Sequence, residues 1–324
     1  MDPIKSKPFA LAGMIIVKIW GAAVVMGGVT VTTFVLMLIS PGDPAYLILI
    51  ADGNLEPSRQ EIMEMRETLG LNRPVHTQYL AWLGRAVRGD MGRSFVNGNR
   101  IDREMLMRIP YTLKLALASA LFSTLLGIAL GLFMASNHNR LTDRAGQLIS
   151  IGLISVPNFW IAILLIGIFS ETLRLLPTSG VGSWAHYVLP ALVLAAGSAG
   201  SLSRLARTVL LNELSRDHIT TARSKGITES ALVLNHALPN AMIPITTSLG
   251  LQFGHILGGA VIVESIFSIP GIGQYAMTGI LNRDYPVIQG FVLYTAALFI
   301  TINFLLDIAY LIINPELRRK GRFG

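Results

Sequence analysis

Six long apolar runs constrain this chain more than anything else in it. They fall at about Ile19–Ile39, Thr112–Ala135, Gly146–Phe169, Tyr187–Leu205, Met242–Ile266 and Gly290–Ile313. Each is close to the roughly 20 residues that a helix needs to cross a bilayer. In lipid no water pairs with the backbone, so a spanning segment must satisfy its own N–H and C=O groups, and a helix does this. Composition agrees: 52% of the 324 residues are hydrophobic and 14% charged, whereas a soluble domain carries about a quarter charged residues. The expected fold class is an all-α integral membrane protein of six transmembrane helices. The chain has no cysteine, so disulfides and thiolate metal sites are excluded. The fourth run is rich in small residues, Ala195-Ala196-Gly197-Ser198-Ala199-Gly200, which suits close helix packing rather than lipid contact.

The formal charge of +7 reads as topology rather than as a nucleic-acid surface. Lys5, Lys7 and Lys18 precede or open the first run, and Arg140 and Arg144 follow the second. Arg204, Arg207, Arg216, Arg223 and Lys225 follow the fourth, and Arg318, Arg319, Lys320 and Arg322 close the chain. The short connections on the other side hold only Arg174 and Arg283. Positive residues gather on the cytoplasmic side, so both termini and the 217–240 loop are expected there, and the long 40–110 connection outside. The first run is too long for a signal-peptide core and lacks a clear small-residue cleavage site, so it reads as a retained helix. No linker divides the chain, and residues 1–324 are expected to form one transmembrane domain. Its parts are a first helix at 19–39, a connection at 40–110 and a five-helix core at 111–313.

That connection is too long and too apolar for a flexible tail. Pro57–Leu69 and Pro74–Val87 carry apolar residues near helical spacing, which predicts two amphipathic helices along the outer face. They serve either as packing for the helix ends or as a platform for an extracytoplasmic protein.

The 217–240 loop, DHITTARSKGITESALVLNHALPN, is unusually ordered. It predicts two short helices. Asp217 caps the first, Arg223 and Lys225 close it, and Gly226 supplies a left-handed stop. Thr228 caps the second, and Pro239 ends it. Such order beside a bilayer predicts a docking surface for another protein.

Polar residues inside apolar runs are costly and point to function. Asn303 and Asp307 lie four apart on one face, as a helix brace ahead of a substrate contact. Gln252 and His255 lie three apart and read equally as a brace or as the wall of a wet cavity. Asn158, which follows Pro157, joins these four as a candidate to line the substrate pathway. Glu264 is expected to cap or pair at the interface with Arg283 or Arg174. The connection after Glu264 carries Pro270, Gly271 and Gly273 in a tight turn, then a polar bend at Arg283 and Asp284; with Glu264 these are the candidates for an external gate. No H-E-x-x-H, G-x-S-x-G or phosphate-loop pattern occurs, so neither a catalytic site, a metal site nor an ATP site is expected on this chain. A secondary transporter would show inverted repeats, and none is evident.

These residues together resemble the inner-membrane permeases of ABC importers, in the dipeptide, oligopeptide and nickel branch. That family's EAA loop reads Glu-Ala-Ala, three residues, Gly, nine residues, then Ile-x-Leu-Pro. Here the pattern is Thr220-Thr221-Ala222, Gly226 and His236-Ala237-Leu238-Pro239, with Thr220 for the Glu and His236 for the Ile. Further matching stretches run Pro41–Ala45, Leu69–Pro74, Gly89–Ser94, Glu264–Gly273, Arg283–Gln289 and Asn314–Arg318. The resemblance implies a homologous second permease, two cytoplasmic ATPase subunits carrying ATP and Mg, and an extracytoplasmic solute-binding protein. It places ATPase coupling on Thr220, Thr221, Ala222, Arg223, Lys225, Gly226, His236, Leu238 and Pro239. Peptides are the broader expectation for the substrate, with nickel or a metal chelate as the alternative.

Overall fold

In the computed structural model, residues 7–39, 42–51 and 53–313 are described, with side chains for 17–39, 42–50 and 53–306. Asp307 and the 314–318 stretch therefore lie outside the described side chains. In chain order the helices are α1 (Lys7–Ile39), α2 (Pro44–Ala51), α3 (Arg59–Thr68), α4 (Val75–Val87), α5 (Ile101–Ser136), α6 (Leu141–Ser155), α7 (Asn158–Leu165), α8 (Ala185–Leu214), α9 (Asp217–Ser224), α10 (Glu229–Ala231), α11 (Leu238–Ile266), α12 (Ile272–Leu281) and α13 (Tyr285–Ile313). Two π-helical segments, Ile166–Thr172 and Leu232–Ala237, extend α7 and join α10 to α11. Among the described residues no strand is present, and the one β-bridge pairs Arg93 with Arg100.

Five of the helical spans are long and apolar enough to cross a membrane. The third expected span differs. It is two legs, Leu141–Ser155 and Asn158–Thr172, meeting at 106°. The cause is Pro157, which removes a donor and drives Val156 into extended backbone at φ −79°, ψ 126°. Three other prolines, Pro110, Pro190 and Pro244, sit inside α5, α8 and α11 without stopping them, as membrane helices permit.

Helix limits depart from the apolar runs where amphipathic turns prolong them. α5 starts at Ile101, so the connection ends ten residues before Pro110. Asp102 and Glu104 suit the first turn of that helix, and Ile101 and Met105 are fully buried. α13 likewise starts at Tyr285, not Gly290. Both amphipathic helices of the connection form, as α3 and α4, and α2 precedes them. α3 opens with a capping box: Glu61 N–H donates to Ser58 Oγ at 3.3 Å, and Ser58 N–H donates to the Glu61 carboxylate at 2.7 Å. These donors hold the Glu61 carboxyl below its ordinary value.

The chain groups into two compact units. One takes residues up to 107 and from 275 onward; the other takes 108–274. In the first, α1 packs along α13 and α4 lies on α1. Thr30 Oγ1 and the Tyr79 hydroxyl are 3.0 Å apart, and Phe34 meets Tyr79 edge-on with ring centroids 5.3 Å apart. In the second, α8 is central, packed by α11, α6 and α7, and 61% of its apolar window is buried. Small residues allow this. A Cβ on Gly131 would sit 2.6 Å from Ala206 Cβ, and one on Gly200 would sit 2.6 Å from the Ser150 carbonyl. The small-residue run of the fourth span is thus packed against helices. Ser150 and Ser203 hydroxyls, 2.8 Å apart, pair across α6 and α8.

Candidate functional site

The 217–240 segment begins with a helix that is almost entirely surface. Ile219 is its one buried residue, and it anchors α9 where that helix packs on α8 and the Leu232–Ala237 segment. Thr220, Thr221, Arg223 and Ser224 are exposed and Ala222 half-buried. The hydroxyls turn inward on the helix: Thr221 donates to the Asp217 carbonyl and Ser224 to the Thr220 carbonyl, both at 3.0 Å. The outer face is therefore small, closely approachable and already satisfied. The N-cap is Arg216, in extended backbone and without a side-chain cap bond. Asp217, expected to cap, sits one residue inside, where its charge suits the helix N-terminus.

Gly226 ends the helix as expected, at φ +82°, a left-handed conformation that glycine adopts without strain. Arg223 then bridges the turn, with Nε and Nη2 donating to the two Glu229 oxygens at 2.5 and 3.1 Å. This bidentate fork ties α9 to α10 and pushes the Arg223 guanidinium above its ordinary value. Lys225 is the exposed C-cap residue. Thr228 occupies the N-cap position of α10 but makes no side-chain cap bond.

The second helix does not end at Pro239. It runs on through the π segment into α11, so Glu229–Ile266 forms one span of 38 residues. Pro239 sits in the first turn of α11, where a missing N–H is tolerated. The buried residues Ala237, Ala241 and Ile245 join Leu202, Ala206 and Leu210 of α8 in one apolar cluster, with Leu238 packed against it. His236 is exposed.

A second constellation lies at the other end of α11. Glu264 is fully buried. Its Oε1 accepts from the Thr112 hydroxyl at 2.6 Å, and its Oε2 accepts from the Gly273 and Gln274 N–H groups at 2.8 and 3.0 Å. Thr112 Oγ1 in turn accepts from Ile272 N–H at 3.0 Å. The carboxylate thus caps the first turn of α12 through the Gly273 and Gln274 N–H groups, one of the two roles expected of it, and also takes the Thr112 hydroxyl. Gly271 and Gly273 are the required neighbours: a Cβ on Gly271 would fall on the Glu264 carboxylate, and one on Gly273 would sit 2.6 Å from Val261 Cα. Pro270 stands half-buried in the same turn. Where a tight turn and bend were expected, α12 occupies ten residues between them.

Two descriptions of known families match this sequence. The binding-protein-dependent transport system inner membrane component covers residues 127–319, and the N-terminal part of such membrane components covers 11–116. The chain belongs to that family. It is an ABC importer permease subunit, a multi-pass protein of the bacterial inner membrane and a transport component rather than a catalytic one. The glutathione transport system permease protein GsiC of Escherichia coli strain K12 is 41% identical over 292 residues, 90% of this chain and 94% of that one. GsiC of Salmonella typhimurium strain LT2 matches to the same extent. The MetNI methionine ABC transporter, solved in inward-facing conformations, shares the fold at a TM-score of 0.56 and 17% identity, over 65% of this chain and 96% of that one.

The permease scatters the polar residues of its spans. Gln252 is buried, with Nε2 donating to Ser248 Oγ at 3.3 Å and Oε1 unpaired. His255 is exposed, so the two do not share one environment. Asn303 donates to the Phe299 carbonyl of its own helix at 2.9 Å, and the Asp307 side chain lies outside the described residues. Asn158 opens α7, half-buried, 3.4 Å from where a Gly259 Cβ would be. Arg283 is exposed at φ +55°. Asp284 is buried; its carboxylate accepts from Ser94 Oγ at 2.5 Å and Phe95 N–H at 3.1 Å, pinning the 93–100 loop.

One pair was not foreseen. Asp143, 1% exposed, accepts from Arg207 Nε and Nη2, both at 2.7 Å. Asn139 N–H and Gln147 Nε2 complete it at 3.1 Å each. The fork fastens the start of α6 to α8. A lone carboxylate in an otherwise basic connection was the available signal.

Proposed function

We propose that this permease forms half of the solute pathway of an ATP-driven importer of short peptide-like solutes, with α9 as the surface that receives a cytoplasmic ATPase. A homologous permease completes the pathway, a second ATPase completes the engine, and an extracytoplasmic binding protein delivers the solute. Both termini and the 217–240 segment face the cytoplasm, in keeping with the lysine and arginine distribution. The observation that carries this reading is the build of the segment. An exposed helix with one buried anchor and a guanidinium–carboxylate strut across Gly226 leads directly into a 38-residue span. A push on α9 therefore crosses the Gly226 turn by the Arg223–Glu229 strut and then enters one continuous helical span, as a rigid-body transition requires. ATP and Mg belong to the partner subunits.

The similarity to glutathione permeases supports a peptide-like solute, since glutathione is itself a small peptide.

Gly226→Asp or Ala222→Glu should leave the permease inserted in the membrane and cut solute-stimulated ATP hydrolysis of the reconstituted complex by about tenfold or more, a barrier change of about 1.4 kcal/mol. Unchanged stimulation would refute the coupling role. Calorimetry on the partner binding protein should show heat with glutathione or dipeptides; heat with nickel alone would replace the peptide reading.

A further inference from the structure

The 44–100 connection and the two spans beside it enclose two cavities that the transport reading does not use. The larger is about 760 Å³, within the roughly 300–1,000 Å³ typical of ligand sites. Phe34 and Met37, at the end of α1, and Trp82 of α4 give it an apolar wall. Arg73, Arg85 and Arg93 line it too, and the one carboxylate among its lining residues is Asp90. Asp90 is partly occupied, accepting from Gly92 N–H at 3.0 Å. Gln289 of α13 reaches the same cavity; it is 5% exposed, and its buried Nε2 has no hydrogen-bond partner. Guanidinium and amide nitrogens only donate. A buried donor left unpaired costs free energy, so Gln289 Nε2 lacks an acceptor, and although Arg93 also donates to the Gly98 carbonyl at 2.9 Å, the excess positive charge of the lining favours an anionic one.

The smaller cavity, about 240 Å³, shares Met91 with the larger. It lies deeper along the same two spans. Met26 and Thr30 replace Phe34 and Met37 on α1, and Leu293 and Ala297 replace Gln289 on α13, a displacement of about one to two helical turns. Leu83 of α4 is among its other, chiefly apolar, walls. α4 also leaves Leu80 and Val87 exposed, at 61% and 80%, as a helix does when it rests where headgroups meet acyl chains.

We propose that the two cavities seat one anionic phospholipid, with its phosphate against Arg73, Arg85, Arg93 and Gln289 and an acyl chain between α1 and α13. A free anion would leave the apolar chamber unused. A zwitterionic headgroup would bring its own cation beside three guanidinium groups.

The test is native mass spectrometry of the full-length permease purified in detergent and supplied with phosphatidylglycerol or phosphatidylcholine. Phosphatidylglycerol should be retained and phosphatidylcholine washed out. Arg73→Gln, Arg85→Gln and Arg93→Gln together should reduce retention by about tenfold or more, and Ala297→Trp, at an exposed position that fills the apolar chamber, should do so with the charges intact. The control Arg59→Gln, Arg88→Gln and Arg103→Gln, on exposed arginines outside the cavity, should retain the lipid. Equal retention of the two lipids, or equal loss in the control, would overturn the proposal. So would displacement by inorganic phosphate together with an unaffected Ala297→Trp, which would assign the site to a free anion.

Discussion

At the scale of single residues, the structure separates polar groups with assigned work from those without. Glu264 has the most, since a hydroxyl and two backbone N–H groups depend on it. Glu264→Ala would bury three orphan donors, at about 1–3 kcal/mol for each unsatisfied group. Glu264→Gln keeps the shape and an acceptor oxygen but turns one end into a donor. The alanine variant should therefore lose more thermal stability than the glutamine variant, by scanning fluorimetry of the purified protein. Equal losses would mean that the carboxylate charge, which both variants remove, and not the donors orphaned by alanine alone, sets the cost. Asp284 allows a local check. Asp284→Asn retains one acceptor oxygen but weakens the charge-assisted bond from Ser94, so amides of residues 93–100 should exchange faster with deuterium while those of α13 do not. Neither partnership was visible in the sequence, because Thr112 and Ser94 are 152 and 190 residues from the carboxylates they serve.

At the scale of helices, close approach and capping set the outcome. Gly131→Leu should disrupt the α5–α8 packing, since even a Cβ would sit 2.6 Å from Ala206. Overpacking typically costs about 1–3 kcal/mol, to be read as a lower midpoint in thermal unfolding. Gly152→Leu, with open space around its Cβ, should not. Gly226→Ala has room as well, but its φ of +82° penalises any side chain, so its loss should come from backbone strain alone. For α3, the Glu61 carboxyl is held below its ordinary value by its bonds to Ser58. The capping contribution is full above the unfolded value, about 4.3, and fades as pH falls through the depressed folded value. Glu61→Ala should make α3 exchange faster than wild type at neutral pH, and that gap should narrow in acid, whereas the loss from Ser58→Ala, which removes the acceptor of Glu61 N–H, should persist.

Apolar periodicity located the helices well and their ends poorly. The runs at Thr112 and Gly290 were legible as spans. The turns that precede them are helical because amphipathic residues bury one face, which a hydropathy run does not register. Pro157 and Pro239 show the harder problem. The same residue type breaks one span at 106° and is carried within another, as Pro110, Pro190 and Pro244 are within theirs, so residue type alone does not separate the two outcomes. In the 217–240 segment, the left-handed stop at Gly226 was readable from residue type. The Arg223–Glu229 strut was not, since two exposed charges six apart need the turn's geometry to meet.

At the scale of the whole permease, the two forks Arg207–Asp143 and Arg223–Glu229 fasten elements on which coupling would depend. Asp143→Asn should leave Arg207 with a weaker, neutral partner and loosen α6 from α8. If that brace matters to transport, solute-stimulated ATP hydrolysis in the reconstituted complex should fall while basal hydrolysis stays. Equal loss of both would point to misassembly instead.

The π-helical segment at Leu232–Ala237 carries an angular consequence. An extra residue within a turn rotates everything on one side of it by about 100° relative to an uninterrupted α-helix. The bearing of α9 relative to the faces of α11 is therefore held in the winding of six residues as well as in their side chains. Adding one residue beside Asn235, whose side chain is exposed, with the winding otherwise unchanged, would swing α9 through about a right angle, with the coupling residues themselves unchanged. A permease altered in this way should still insert and still carry every coupling side chain, yet present them in the wrong direction.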